Sequence, residues 1–214
     1  MIKNYFKIAL RNLQKDTFYS LINVLGLTLG VTCGMLLLLY VTDELSYDRY
    51  HTKADQIYRV VSKIREPDKA FGWNVTQPPL VETLKRDYPF IENYVRFVPY
   101  GRVMFRRGEN RFYEEDIYSA DSTVFEVFSY KLLEGDPKTA LNQPGSIVLT
   151  QKTAQKFFGS RPALGESLQT NDTTFYKVTG VMEDVPRNSH FTFNALLSKG
   201  QFERGLTDSW GDSS

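Results

Sequence analysis

A chain of 214 residues with 42% apolar and 24% charged residues has an ordinary globular composition and can bury a real core. Its 26 basic and 25 acidic groups nearly cancel, so overall charge points to no nucleic acid and no acidic polymer as partner. A single cysteine, Cys33, excludes an intrachain disulfide, which an exported domain of this size does not need.

The charge is unevenly placed. Residues 1–16 carry Lys3, Lys7, Arg11 and Lys15 against Asp16 alone, while the remaining 198 residues hold 22 basic and 24 acidic groups. Ile2, Phe6, Ala9 and Leu13 recur at helical spacing, and Lys3, Lys7 and Arg11 fall on other faces. Residues 1–16 therefore read as a cytoplasmic basic amphipathic segment resting on the inner leaflet.

No charged residue occurs from Thr17 to Thr42, and the apolar heart runs from Leu21 to Val41. A helix needs about 20 residues to cross the hydrocarbon core. A secretory signal peptide has a shorter apolar region, about 7–15 residues, followed by a small-residue cleavage site. Here the run ends in bulky Leu36–Tyr40 and then Asp43 and Glu44, so residues 17–42 read as an uncleaved transmembrane helix. The basic flank before it and the acidic residues after it put the N-terminus in the cytoplasm. Residues 43–214 then lie outside the inner membrane, in the periplasm. Gly26, Gly30 and Gly34 share one helical face and are expected to be helix-packing contacts, because glycines let a second helix approach closely.

Beyond the span, short strands and helices alternate, as in an α+β domain. The sequence predicts a strand over Gln56–Ile64 and a helix after Pro78 and Pro79 with Leu80, Val81, Leu84 and Tyr88 on its apolar face. One or two strands follow over Ile91–Phe105, broken near Pro99–Gly101, and another over Arg111–Ala120. Asp121 is expected to cap a short helix over Ser122–Phe128. After a turn-rich stretch from Glu134 to Gly145, a strand is expected over Ser146–Leu149. Thr150 should cap a helix carrying Ala154, Phe157 and Phe158 and ended by Gly159. A last strand is expected over Phe175–Val185, with Gly180 marking a bulge or close approach.

Catalytic and ligand motifs are missing from the sequence. The glycine-rich run Gly159–Gly165 lacks the lysine of a phosphate loop. His51 and His190 stand far apart with no metal-ligand spacing, so neither a metal nor a cofactor is expected. Glu114, Glu115 and Asp116 read as a solvated acidic run rather than a catalytic carboxylate pair. There is no GxSxG elbow. Asn74-Val-Thr and Asn171-Asp-Thr match glycosylation sequons, a pattern that chance supplies often. The chain reads as no enzyme.

The segment Asp43-Glu-Leu-Ser-Tyr-Asp-Arg-Tyr-His51 with Ile57-Tyr-Arg-Val60 resembles the stretch just outside the first span of FtsX-like ABC transporter permeases of the Bacteroidetes type. The opening Asn4-Tyr-Phe-Lys-Ile-Ala-Leu-Arg-Asn12 looks like their usual start. Ile147-Val-Leu-Thr150, Ala154–Gly159, Pro162–Gly165, Tyr176–Val181, Asp184-Val-Pro186 and Ser189-His-Phe191 resemble the MacB-like periplasmic core domain. The resemblance implies a mixed α/β extracytoplasmic domain, with a Porter-like and a β-rich part, over residues 43–214. It also implies a cytoplasmic ABC ATPase subunit as partner, a second permease copy or homologue, and at least three further spans. On this reading the chain couples ATP hydrolysis on another subunit to export, efflux or mechanical transmission. Since no such spans follow Ser214, the chain is expected to be the front part of a longer permease. Without the resemblance, a single-span anchored binding or sensor domain would explain the topology equally well.

Overall fold

The computed structural model describes residues 2–15, 17–65, 70–73, 76–77, 79–170 and 174–199. The chain divides into two compact units, Met1–Tyr47 and Asp48–Ser214. In the first unit, α1 covers Ile2–Lys15 and α2 covers Thr17–Glu44. The side chains of Ile2, Phe6, Ala9 and Leu13, assigned to the apolar face of α1, lie outside the described ones. At 1.5 Å per residue the 28 residues of α2 reach about 42 Å, more than the roughly 30 Å of a hydrocarbon core. This helix is apolar on every side and none of its residues is buried within the chain. Its hydroxyls turn inward: Thr28 donates to the Val24 carbonyl (2.7 Å) and Thr42 to that of Leu39 (2.9 Å). These two hydroxyls therefore need no water.

The second unit opens with a 3-10 turn at Ala54–Gln56. The strand expected over Gln56–Ile64 is only partly formed. Residues 57–61 lie outside the strands, and β1 (Ser62–Arg65) pairs in a separate two-stranded sheet with β2 (Ala70–Trp73). Helix α3 (Leu80–Asp87) forms where expected, with Thr83 donating back to the Pro79 carbonyl.

Strands β3 (Phe97–Arg107) and β4 (Asn110–Ala120) form a hairpin through Gly108, whose φ of 59° suits a tight turn. The break near Pro99–Gly101 is a register shift inside one continuous strand. Helix α4 covers Val124–Val127 and lacks the Asp121 cap, because that carboxylate is taken by Arg96. Then come β5 (Leu132–Gly135), β6 (Ser146–Thr150) and α5 (Gln151–Phe158). Thr150 accepts from the Thr153 N–H and Gly159 ends the helix at φ 63°, as expected. Strands β7 (Ser167–Thr170), β8 (Phe175–Met182) and β9 (Ala195–Ser198) complete the sheet.

The sheet order is β5-β8-β6-β9-β4-β3-β7, and β7 returns to β8. Six strands thus close into a ring. On one edge β8 pairs with β6; the other edge is shared, with β7 at Phe175–Lys177 and β5 at Gly180–Met182. The close approach expected at Gly180 is real. A Cβ there would touch Leu132 Cδ2 at 3.0 Å and the Glu134 carbonyl at 3.2 Å, and one on Gly135 (φ 96°) would run into the Thr179 carbonyl.

Alternation sorts the core into two layers. Ile147, Leu149, Ala195 and Leu197 face Phe105, Ile117, Leu168 and Val178, and α5 contributes Ala154, Phe157 and Phe158 to the same layer. Their neighbours Val148 and Leu196 point the other way, toward Val124, Tyr130, Leu141, Met182 and Phe193. Strands β6 and β9 are buried on both faces. Glu114, expected to be solvated, is instead buried and ion-paired with Lys156 of α5. A carboxylate facing the core needs such a partner.

Candidate functional site

The polar chemistry of the second unit concentrates where its chain begins. Asp48 adopts a left-handed conformation (φ 56°), an arrangement that aspartate tolerates better than most residues. Its N–H donates to the Asn188 carbonyl (2.9 Å). Its Oδ1 accepts the His190 N–H at 3.1 Å and faces the Ser189 hydroxyl at 3.2 Å, while Oδ2 lies 2.7 Å from His190 Nδ1. Burial alone would raise the Asp48 pKa, but the hydrogen bonds from His190 and Ser189 and the His190 charge outweigh it and hold the carboxyl below its ordinary value.

Tyr50 lies 2.9 Å from the Ser189 hydroxyl, which also faces the Phe191 carbonyl at 3.1 Å. Ser189 has one proton, so it donates to Asp48 or to Phe191 and accepts from Tyr50. His51 is buried, and its Nδ1 accepts the Ser129 N–H at 3.1 Å. That bond requires a neutral imidazole with its proton on Nε2. Burial pushes the His51 pKa down, against a smaller upward pull from Asp48. Thr52 fastens to the same loop, its N–H donating to Ser129 Oγ (2.9 Å) and its hydroxyl lying 2.8 Å from it.

Aromatic rings back these bonds. The His51 ring centroid lies 4.0 Å from Tyr50 and 5.1 Å from both Phe128 and Tyr130. Phe128 and Phe191 then pack on Phe97, and Tyr130 on Phe193, joining the cluster to the second core layer. Residues 48–52 are therefore clasped to two loops, 128–130 and 188–191. Burial, with Tyr50 and Asp48 nearby, also pushes the Tyr130 hydroxyl above its ordinary pKa, so it stays neutral.

A second fastening lies close by in sequence. Arg96 grips Asp121 through two guanidinium nitrogens (2.9 and 2.7 Å) and its backbone N–H (2.8 Å), and reaches Glu82 of α3 at 3.1 Å. Both Arg96 and Asp121 are largely buried, a bidentate pairing that suits guanidinium and carboxylate.

Among the described residues, no group of three or more His, Cys, Asp or Glu side chains could hold a metal ion. His51 and His190 belong to the clasp, His190 tied to Asp48 and His51 to Ser129. Gly26, Gly30 and Gly34 lie in α2, where a Cβ on any of them would meet nothing within 4 Å. Cys33 is exposed on the same helix. Asn74 and Asn171 of the sequons lie outside the described residues.

The profile of the MacB-like periplasmic core domain matches residues 20–212. The chain belongs to the MacB-like periplasmic core domain family. It is a membrane-anchored member with one apolar N-terminal helix ahead of a mixed α/β periplasmic domain. No curated protein sequence matches it.

Among solved structures, a domain assigned to a permease protein from Porphyromonas gingivalis is similar in fold, with a TM-score of 0.60 at 19% identity over 67% of this chain and 66% of that one. The periplasmic region of MacB from Actinobacillus actinomycetemcomitans gives 0.43 at 15% identity over 59% of each chain. The extracellular domain of the ABC-type transporter YknZ from Gram-positive bacteria gives 0.39 at 16% identity, over 50% of this chain and 54% of that one. The chain thus spans less than two thirds of the length of each of these solved chains. Asp43–His51, the stretch with the FtsX-like resemblance, and Ser189–Phe191, one of those with the MacB-like resemblance, face each other across the clasp.

Proposed function

We propose that the chain is the N-terminal part of an ABC transporter permease subunit. Its N-terminus faces the cytoplasm, α2 crosses the inner membrane, and residues 43–214 respond on the periplasmic side to an ATPase that is a separate cytoplasmic subunit. The permease works as a dimer with a second copy or homologue, and the output is export, efflux or mechanical transmission.

The observation that carries this reading is the clasp. A displacement delivered to Asp48 loads the loops at 128–130 and 188–191 and, through Phe97 and Phe193, the second core layer. A flexible tether at that point would absorb the displacement in its own conformational freedom. The apolar span, the basic helix before it and the family membership support the topology.

The first test is purification of the tagged native gene product from its own host in mild detergent, followed by mass spectrometry. An ATP-binding cassette protein arriving with the bait is the expected result. A bait that comes alone favours a single-span anchored binding or sensor domain instead. Gly26, Gly30 and Gly34 are assigned to helix packing within that assembly. Replacing all three by leucine should abolish ATPase recovery, and unchanged recovery would remove that assignment.

A further inference from the structure

Three exposed arginines stand together on the β3–β4 hairpin, with exposed Glu109 and Glu115 near them. Along the outer face of the β3–β4 hairpin, Arg106 stands directly opposite Arg111, and the next outward pair is Met104 with Tyr113. Arg102 lies over the Tyr113 ring at 4.8 Å. The row continues across the sheet: Arg106 is in register with Gln169 of β7, and Gln169 with Phe175 of β8. All three arginines are exposed, as are Tyr113 (53%) and Phe175 (64%).

Like charges directly opposite each other in an antiparallel pair are destabilising. Some cations of the domain pair closely with carboxylates, as Arg96 does with Asp121, Lys131 with Glu183 and Lys156 with Glu114. Among the described residues, Arg102, Arg106 and Arg111 form no ion pair, and Arg106 finds only the neutral amide of Gln169.

We propose that this face is a docking surface for an acidic protein partner. Carboxylates from that partner would sit between Arg106 and Arg111, relieving their repulsion by fork-shaped hydrogen bonds. The composition favours a protein over a lipid surface. Arginine with Tyr, Phe and Met is the mix enriched at protein interfaces, and lysine, which is depleted there, is absent from the hairpin strands.

The test uses the full chain in phosphatidylcholine nanodiscs, with a glutamate–tyrosine copolymer as probe. The wild type should bind it, more weakly as salt rises. The triple variant Arg102→Gln, Arg106→Gln, Arg111→Gln should bind at least about tenfold more weakly, the loss expected when one or more charge-assisted contacts go. A control triple with the same charge change on exposed residues outside the hairpin, Lys138→Gln, Lys152→Gln, Arg161→Gln, should bind as the wild type does. No binding, or equal loss in both triples, overturns the proposal. Binding to phosphatidylglycerol vesicles that depends on the hairpin arginines, with the copolymer ignored, overturns it in favour of a membrane surface. Arg111→Thr supplies a second reading: its thermal midpoint should rise, and a fall would show that the arginine stabilises the hairpin in its own right.

Discussion

The barrel and the clasp are held together by opposite means. The barrel closes by excluding water from aliphatic and aromatic faces, and its neighbours are sorted by simple alternation. The clasp is small, polar and half exposed, and each bond is directional. A region of the first kind resists deformation everywhere at once. A region of the second kind holds one geometry firmly and releases it when a few groups change.

The largest expected effect comes from the Arg96–Asp121 fastening. Asp121→Ala would leave the largely buried Arg96 guanidinium without its carboxylate, a loss of about 3–5 kcal/mol for a buried pair. Chemical denaturation should register it as a lower midpoint with an unchanged slope. Within the barrel, Leu149→Ala empties space in the fully buried inner layer and should cost about 2–5 kcal/mol. Its effect should be global, so hydrogen exchange should rise across all ring strands together. Were exchange to rise only near α5, the ring would not be one cooperative body.

In the clasp, Tyr50→Phe removes one neutral hydrogen bond to Ser189 and should cost only about 1 kcal/mol. Exchange should quicken in the 188–191 loop alone. If the comparison drawn above holds, this mild lesion reduces ATP-driven movement of the periplasmic domain more than Leu149→Ala does.

The smallest effect is one of pH. The His51 pKa is lowered on folding, so the unfolded chain binds more protons as pH falls below the ordinary histidine value of 6.5. The stability His51 contributes is complete above 6.5 and is lost as pH drops from there through its folded value. Asp48, held below 3.8, acts in the same sense further down: its contribution is lost as pH falls below 3.8. Thermal midpoints of wild type and His51→Gln measured between about pH 7.5 and 5 should converge as the medium acidifies. Parallel curves would mean that the imidazole is not held neutral.

The barrel was largely legible in the sequence because its signals are local. Alternation marks β3, β4 and β8, an apolar run marks β6, and Thr150 and Gly159 bracket α5 within ten residues. Strands β5, β7 and β9 were not legible. Each has four residues, too few for a period to emerge, and Ala195–Ser198 is defined by its neighbours rather than by its own pattern. Asp121 shows how a local rule fails: a good helix cap was claimed by a stronger partner 25 residues back. The clasp was opaque for a related reason. Asp48 and His190 are 142 positions apart, and His51 and Ser129 are 78 apart. Only the family resemblance quoted residues from both of its sides.

The ring carries a consequence for how the protein is made. Strand β4 waits for β9 as its parallel neighbour, β3 for β7, and β6 for both β8 and β9. Ribosomes deliver β9 last of these, so no subset of earlier strands can finish the closure. Parallel pairs and long sequence separations also make such topologies slow to form. The second unit therefore remains an open chain until residue 198 has emerged. That delay is useful to a domain threaded across a membrane as an unfolded strand, because a barrel that closed early would block its own passage.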